Sequence, residues 1–145
     1  MATLADVKYI GGANSNANVW SNDEQWIKVV YNFATDTGAQ AALDALVNGS
    51  SSKKYAITDF MAFVETAVTS GGSPTVSLGN GSGKEIWADV AKATLAINKL
   101  LGVSGSSTAL PVVLLGSEKL VFTIATADLT AGKIHMFLKV KQLVY

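Results

Sequence analysis

The sequence predicts an all-β fold built from antiparallel sheet, in a chain of single-domain length. Three observations carry that prediction. Residues 118–141 alternate apolar and polar side chains on both sides of a turn that ends in Gly132, which reads as a two-strand unit. Residues 55–69 form the longest apolar run, and both of its alternating faces are largely apolar, with Ile57, Met61 and Phe63 on one and Phe60, Val64 and Val68 on the other. Such a strand is covered on one side by a second sheet and on the other by a neighbour, with a second subunit as one option. The punctuation is Gly, Ser and Asn, with only two prolines, which suits many turns.

Taken in order, residues 1–24 read as a flexible N-terminal arm, because Gly11 to Asn18 is small, polar and unable to bury enough surface to order itself. Residues 25–145 form the folded domain. Residues 26–33 give a first strand, ended by the turn residues Thr35, Asp36, Thr37 and Gly38. Residues 41–47 have the Ala and Leu of a helix but are too short for an independent one, and they read as a strand in context. The long strand at 55–69 follows, then a turn at 70–74 and a short strand at 75–78. Gly79 to Gly83 is the glycine-requiring loop of a hairpin. In residues 84–97, Ile86, Val90, Ala93 and Ile97 recur at helical spacing, which predicts one short helix laid across the sheet. Loop residues at 102–108 lead to strands at 110–115, 120–126 and 134–144. On the last of these Ile134, Met136, Leu138 and Val140 face one way, and His135, Phe137, Lys139 and Lys141 the other.

Composition narrows the function. The chain has 145 residues, long enough to bury roughly 70% of the surface its unfolded form exposes. It has no Cys, so disulfides and thiolate metal sites are excluded. All eleven basic residues are Lys and are balanced by eleven acids. A neutral domain without the Arg fork lacks the footprint of nucleic-acid binding, so no nucleic-acid partner is expected. Hydrophobic residues make up 49% of the chain and mean hydropathy is +0.31, so either the core is rich or some apolar surface meets a partner. No run approaches the length of a membrane span, and the first ten residues lack the pattern of a signal peptide. No membrane partner is expected, and the protein is made in the cytoplasm, where it stays unless it leaves within a larger particle.

No catalytic constellation is present in the sequence. The single histidine, His135, excludes His-pair metal sites and reads as a half-exposed surface residue. There is no Gly-x-Ser-x-Gly elbow, and Gly79 to Lys84 lacks phosphate-loop spacing. Asp59 and Glu65 share a strand face but lie about 20 Å apart at ~3.3 Å per residue, so they read as rim or interface charges rather than a glycosidase pair. Asn14, Asn18, Asp23 and Glu24 lack the regular spacing of a calcium loop. Trp20, Trp26 and Trp87 read as core or interface anchors. No enzyme activity, cofactor or metal is expected.

Three segments carry a resemblance. They are residues 26–39, opening Trp26-Ile-Lys-Val-Val-Tyr-Asn-Phe; residues 63–79, Phe63-Val-Glu-Thr-Ala-Val-Thr through Gly79; and residues 120–137, Leu120-Val-Phe-Thr-Ile-Ala-Thr through Phe137. In that order the chain resembles small virion structural proteins of tailed bacteriophages, among them head decoration, or cement, proteins. The resemblance implies an antiparallel jelly-roll-like β-sandwich, commonly trimeric, on the outer capsid surface of the virion, clamping major capsid protein subunits at three-fold positions. The helical segment would be an insertion between strands. A cement protein needs apolar area, exposed backbone edges and an arm able to order against a neighbour rather than reactive groups. Tyr9, Ile10 and Trp20 are the candidate capsid-contact residues, on an arm whose deletion over 1–20 is expected to leave the fold intact. Two rivals remain: a tail- or vertex-associated receptor- or carbohydrate-binding module, and an enzyme acting on glycans.

Overall fold

Period-two burial organises the chain, as the alternation in its sequence predicts. The computed structural model describes residues 3–10, 25–48, 53–102, 110–115 and 118–143, with only the Leu4 side chain described in the first of these. Among them run ten strands: β1 (Thr3–Ile10), β2 (Gln25–Asn32), β3 (Ala41–Asn48), β4 (Lys54–Thr69), β5 (Thr75–Gly79), β6 (Glu85–Ala91), β7 (Leu100–Leu101), β8 (Val112–Leu114), β9 (Lys119–Ala125) and β10 (Ala131–Leu143).

The strands pair in the order β6-β5-β9-β3-β1-β2-β10-β4-β7, and β8 also pairs with β4. The path divides at β1. That strand runs antiparallel to β2, with Asp6 opposite Val30, and parallel to β3, with Tyr9 opposite Val47. Every other ladder is antiparallel. The first sheet is β6-β5-β9-β3 and the second is β2-β10-β4 with β7 and β8 on its far edge, an all-β sandwich closed on one side by β1. Aromatic pairs join the layers. Tyr31 of β2 stacks on Phe122 of β9, and Phe60 of β4 tilts against Trp87 of β6 with centroids 5.4 Å apart. Burying such rings contributes most of the hydrophobic driving force a small sandwich has.

Three expectations are corrected. The two-strand unit at 118–141 is not a hairpin: β9 pairs with β3 and β5, whereas β10 pairs with β2 and β4. Alternation specifies a buried face for each strand but not the sheet that receives it. The connection between them is pinned where Leu129 N–H donates to Gly38 O at 2.7 Å and Thr130 N–H donates to Thr69 O at 2.8 Å.

The short helix at 84–97 is also absent. Its place is taken by β6 and a single 3₁₀ turn at Lys92–Thr94. The β5–β6 register shifts twice, Asp89 adopts a φ of 46°, and Ile86 and Trp87 are buried in succession. A bulge of this kind resets the alternation, so buried positions recur three or four apart as on a helix. The loop before β6 is the predicted glycine turn. Gly81 and Gly83 have φ of 79° and 96°, and the Asn80 side-chain oxygen accepts from Ser82 N–H at 2.8 Å and Lys84 N–H at 3.1 Å.

The N-terminal arm is corrected in part. Residues 3–10 form β1 between the two sheets, and Leu4 is 2% exposed in the core. Residues 11–24, and with them Trp20, lie outside the described residues.

Candidate functional site

β10 lies between β2 and β4 and buries Ile134, Met136, Leu138 and Val140 completely. Its other side chains therefore point away from the core, onto the outer face of the second sheet. Register decides what they meet. Phe137 lies between Lys28 and Met61, Lys139 between Trp26 and Asp59, and His135 between Val30 and Phe63. Beyond Phe63, Leu100 of β7 continues the same row. Directly opposed residues of an antiparallel pair share a face, so Met61, Phe63, Leu100 and Phe137 form one apolar surface with Trp26 on the diagonal. Trp26, Met61 and Leu100 are 50%, 36% and 64% exposed.

A polar end adjoins this surface. Glu65 Oε2 accepts from Lys133 Nζ at 2.9 Å and from His135 Nε2 at 2.5 Å. An ionised carboxylate only accepts, so the imidazole carries its proton on Nε2. The hydrogen bond from His135, and after it that from Lys133, holds the Glu65 carboxyl below the usual glutamate range. The His135 ring also tilts against Phe63, with centroids 6.4 Å apart. Next to this group is an open depression of about 260 Å³, lined in part by Lys28, Asn32, Asp36, Lys133 and His135. Asp36 closes its rim by accepting from Asn32 N–H at 2.8 Å.

The opposite outer face differs in kind. There Thr123 lies between Ala42 and Ser77, and Ala125 lies opposite Thr75, a small and polar surface. Two of its charged groups have local partners: Lys119 Nζ reaches Asp44 Oδ2 at 3.1 Å, and Asp89 Oδ1 accepts from Ser77 Oγ at 3.4 Å.

Sheet edges are short or interrupted. β7 and β8 cover the far edge of β4 with two- and three-residue strands, and β6 carries the bulge at Asp89. Both devices discourage strand addition, which leaves faces rather than edges for recognition.

The residues singled out in the sequence fall in different places. Tyr9 and Ile10 are the last positions of β1, opposite Val47 and Asn48 of β3. Trp87 is buried at 1% exposure, whereas Trp26 stands on the outer face. Asp59 and Glu65 share that face but are not brought together: Lys139 lies opposite Asp59, and Lys133 binds Glu65. His135 is the surface residue expected, and its pairing with Glu65 follows from the β4–β10 register alone. Among the described residues, no group of three or more His, Cys, Asp or Glu side chains is arranged to hold a metal ion.

No family model matches the chain, and no curated protein does. In fold it is similar to a solved structure titled "Capsid of Ralstonia phage GP4", with a TM-score of 0.51 and 14% sequence identity. The likeness covers 86% of this chain and 88% of that one. It extends over nearly the whole sandwich, and at that identity it shows the fold.

Proposed function

We propose that this protein is a virion structural protein, specifically a phage head decoration protein. In this reading it binds the outer surface of the head as a trimer and stabilises the shell by bridging major capsid protein subunits. It is made in the host cytoplasm and acts by binding, not by catalysis. The observation that carries the reading is the likeness in fold to a chain from a phage capsid over 86% of this sequence. The unlike outer faces support it, because an exposed aromatic surface on one side and a small polar surface on the other suit a protein that lies against a shell on one side only. The carbohydrate-binding reading has less support: the lining of the depression beside His135 includes no Trp, Tyr or Phe to stack on a sugar ring.

Mass spectrometry of purified virions of the encoding phage tests the role. A copy number near that of the major capsid protein is expected. A few copies per particle would move the protein to a tail or vertex, and absence from the particle would overturn the reading.

A further inference from the structure

We infer that the outer face of β2, β10, β4 and β7 is the surface that docks on the capsid, and that it takes an acidic protein surface bearing apolar side chains. The inference rests on the proposed decoration role and names the side of the molecule and the partner chemistry that role requires.

Three observations point to this face. Trp26, Met61 and Leu100 are among the few large apolar residues left exposed, and the register places them in one surface with Phe63 and Phe137. Aromatic residues and Met ringed by polar groups are the composition of a protein interface core. The opposite face presents Ala42, Ser77 and Thr123 in register, with no aromatic or Met side chain among the described residues of that row.

Charge selects the partner. On this face stand Lys28, Lys133, Lys139 and Lys141 against Asp59 and Glu65, with Asp36 at the rim of the depression. Lys133 and His135 share one oxygen of Glu65, while Lys28 and Lys141 form no ion pair among the described residues. The chain as a whole is neutral, so the surplus positive charge is local to this side. A second copy docked through the same face would be related by a two-fold axis and would bring together two surfaces of the same net sign. An acidic surface answers them, and long-range attraction speeds its encounter.

The depression gives the contact a register. Its opening beside Lys28 accommodates one carboxylate side chain of the partner, while Trp26 and Phe137 pack on apolar groups next to it.

Binding to capsid shells of the encoding phage, stripped of this protein, tests the inference, with co-sedimentation as readout. Lys28→Glu and Trp26→Ser alter exposed positions and are each expected to weaken binding about tenfold or more, the scale of an interface anchor. Thr123→Glu on the opposite face is expected to bind as the wild type does. Wild-type binding is also expected to weaken as salt is raised, and Lys28→Glu to flatten that dependence. Denaturation midpoints of each variant separate lost docking from lost folding. Wild-type binding matched by both Lys28→Glu and Trp26→Ser would overturn the assignment of this face while leaving the decoration role intact. No binding by the wild type would overturn both. A smaller sedimentation coefficient for free Trp26→Ser, with capsid binding unchanged, would assign the face to contacts between copies instead.

Discussion

Tyr31 and Phe122 stack face to face across the sandwich, with ring centroids 4.9 Å apart and planes 21° from parallel. The rings come from different sheets, Tyr31 from β2 and Phe122 from β9, so the pair joins layers whose strand ladders meet, among the described residues, only at β1. Phe122→Ala removes the ring from a site with no exposure and leaves a cavity between the layers. The expected cost is about 3–5 kcal/mol, read from denaturant unfolding. A loss below about 1 kcal/mol would show that the sheets do not depend on this contact.

Tyr31 also makes stability depend on alkaline pH. Its hydroxyl donates to Thr37 O at 3.1 Å, and burial first, then the charge of Asp36, pushes its pKa from 10.0 to about 12. The folded state therefore holds this proton after the unfolded state has lost it. Stability from Tyr31 is full below pH 10 and declines as pH rises toward 12, by about 1 kcal/mol at pH 11. Tyr31→Phe is expected to remove that slope. Urea midpoints between pH 9 and pH 11 that fall equally in both proteins would assign the slope to other groups.

Glu65 acts at the acid end. Its carboxyl lies below its ordinary range because His135, and then Lys133, hydrogen-bond to the ionised form. A depressed carboxylate contributes stability above its unfolded pKa and loses it as pH falls through the folded value, so the effect appears below roughly pH 4.5. Glu65→Gln is expected to flatten the acid limb of the stability curve by lowering neutral stability slightly, as suits an exposed pair, while stability at low pH stays nearly unchanged. Parallel acid limbs in the two proteins would contradict this.

Gly38 marks a close approach between two connections. A Cβ there would collide with the Leu129 carbonyl oxygen and with the Phe33 ring, where the β2–β3 turn meets the β9–β10 connection. Gly38→Ala is expected to destabilise by about 1–3 kcal/mol, because backbone must move to make room. Gly71, where an added methyl group would meet nothing within 4 Å, serves as the control, and Gly71→Ala is expected to be near neutral.

Removal of residues 1–10 tests β1. The strand pairs with both β2 and β3, so its loss exposes two long sheet edges and opens the layers. Broad, non-cooperative unfolding and self-association are expected by calorimetry and light scattering. A sharp transition at the full-length temperature would return residues 1–10 to the role of an arm.

Much of the fold is legible because burial has period two. Ile134, Met136, Leu138 and Val140 announce both β10 and its core face. β6 is not legible because two register shifts, one at Ile86 that lets Ile86 and Trp87 both turn inward and one at Asp89 that sets Trp87 and Val90 three apart, give a spacing that imitates a helix. The β9–β10 relationship is hidden because short connections favour hairpins, while here the two buried faces belong to opposite sheets. The outer face is legible only in part. Apolar residues on both sides of β4 single out Met61 and Phe63, but only the register places Phe137, Trp26 and Leu100 beside them. The members of the His135–Glu65 pair are seventy positions apart and give no local signal.

β10 is the last of the ten strands to leave the ribosome, yet it stands between β2 and β4. While the chain is being synthesised, those two strands have no partner along their facing edges, and the aromatic groups that close the sandwich lack half of their cover. Folding is therefore coupled to completion of the sequence through Leu143. A message cut short before residue 131 yields a product with exposed strand edges, suited to aggregation or proteolysis.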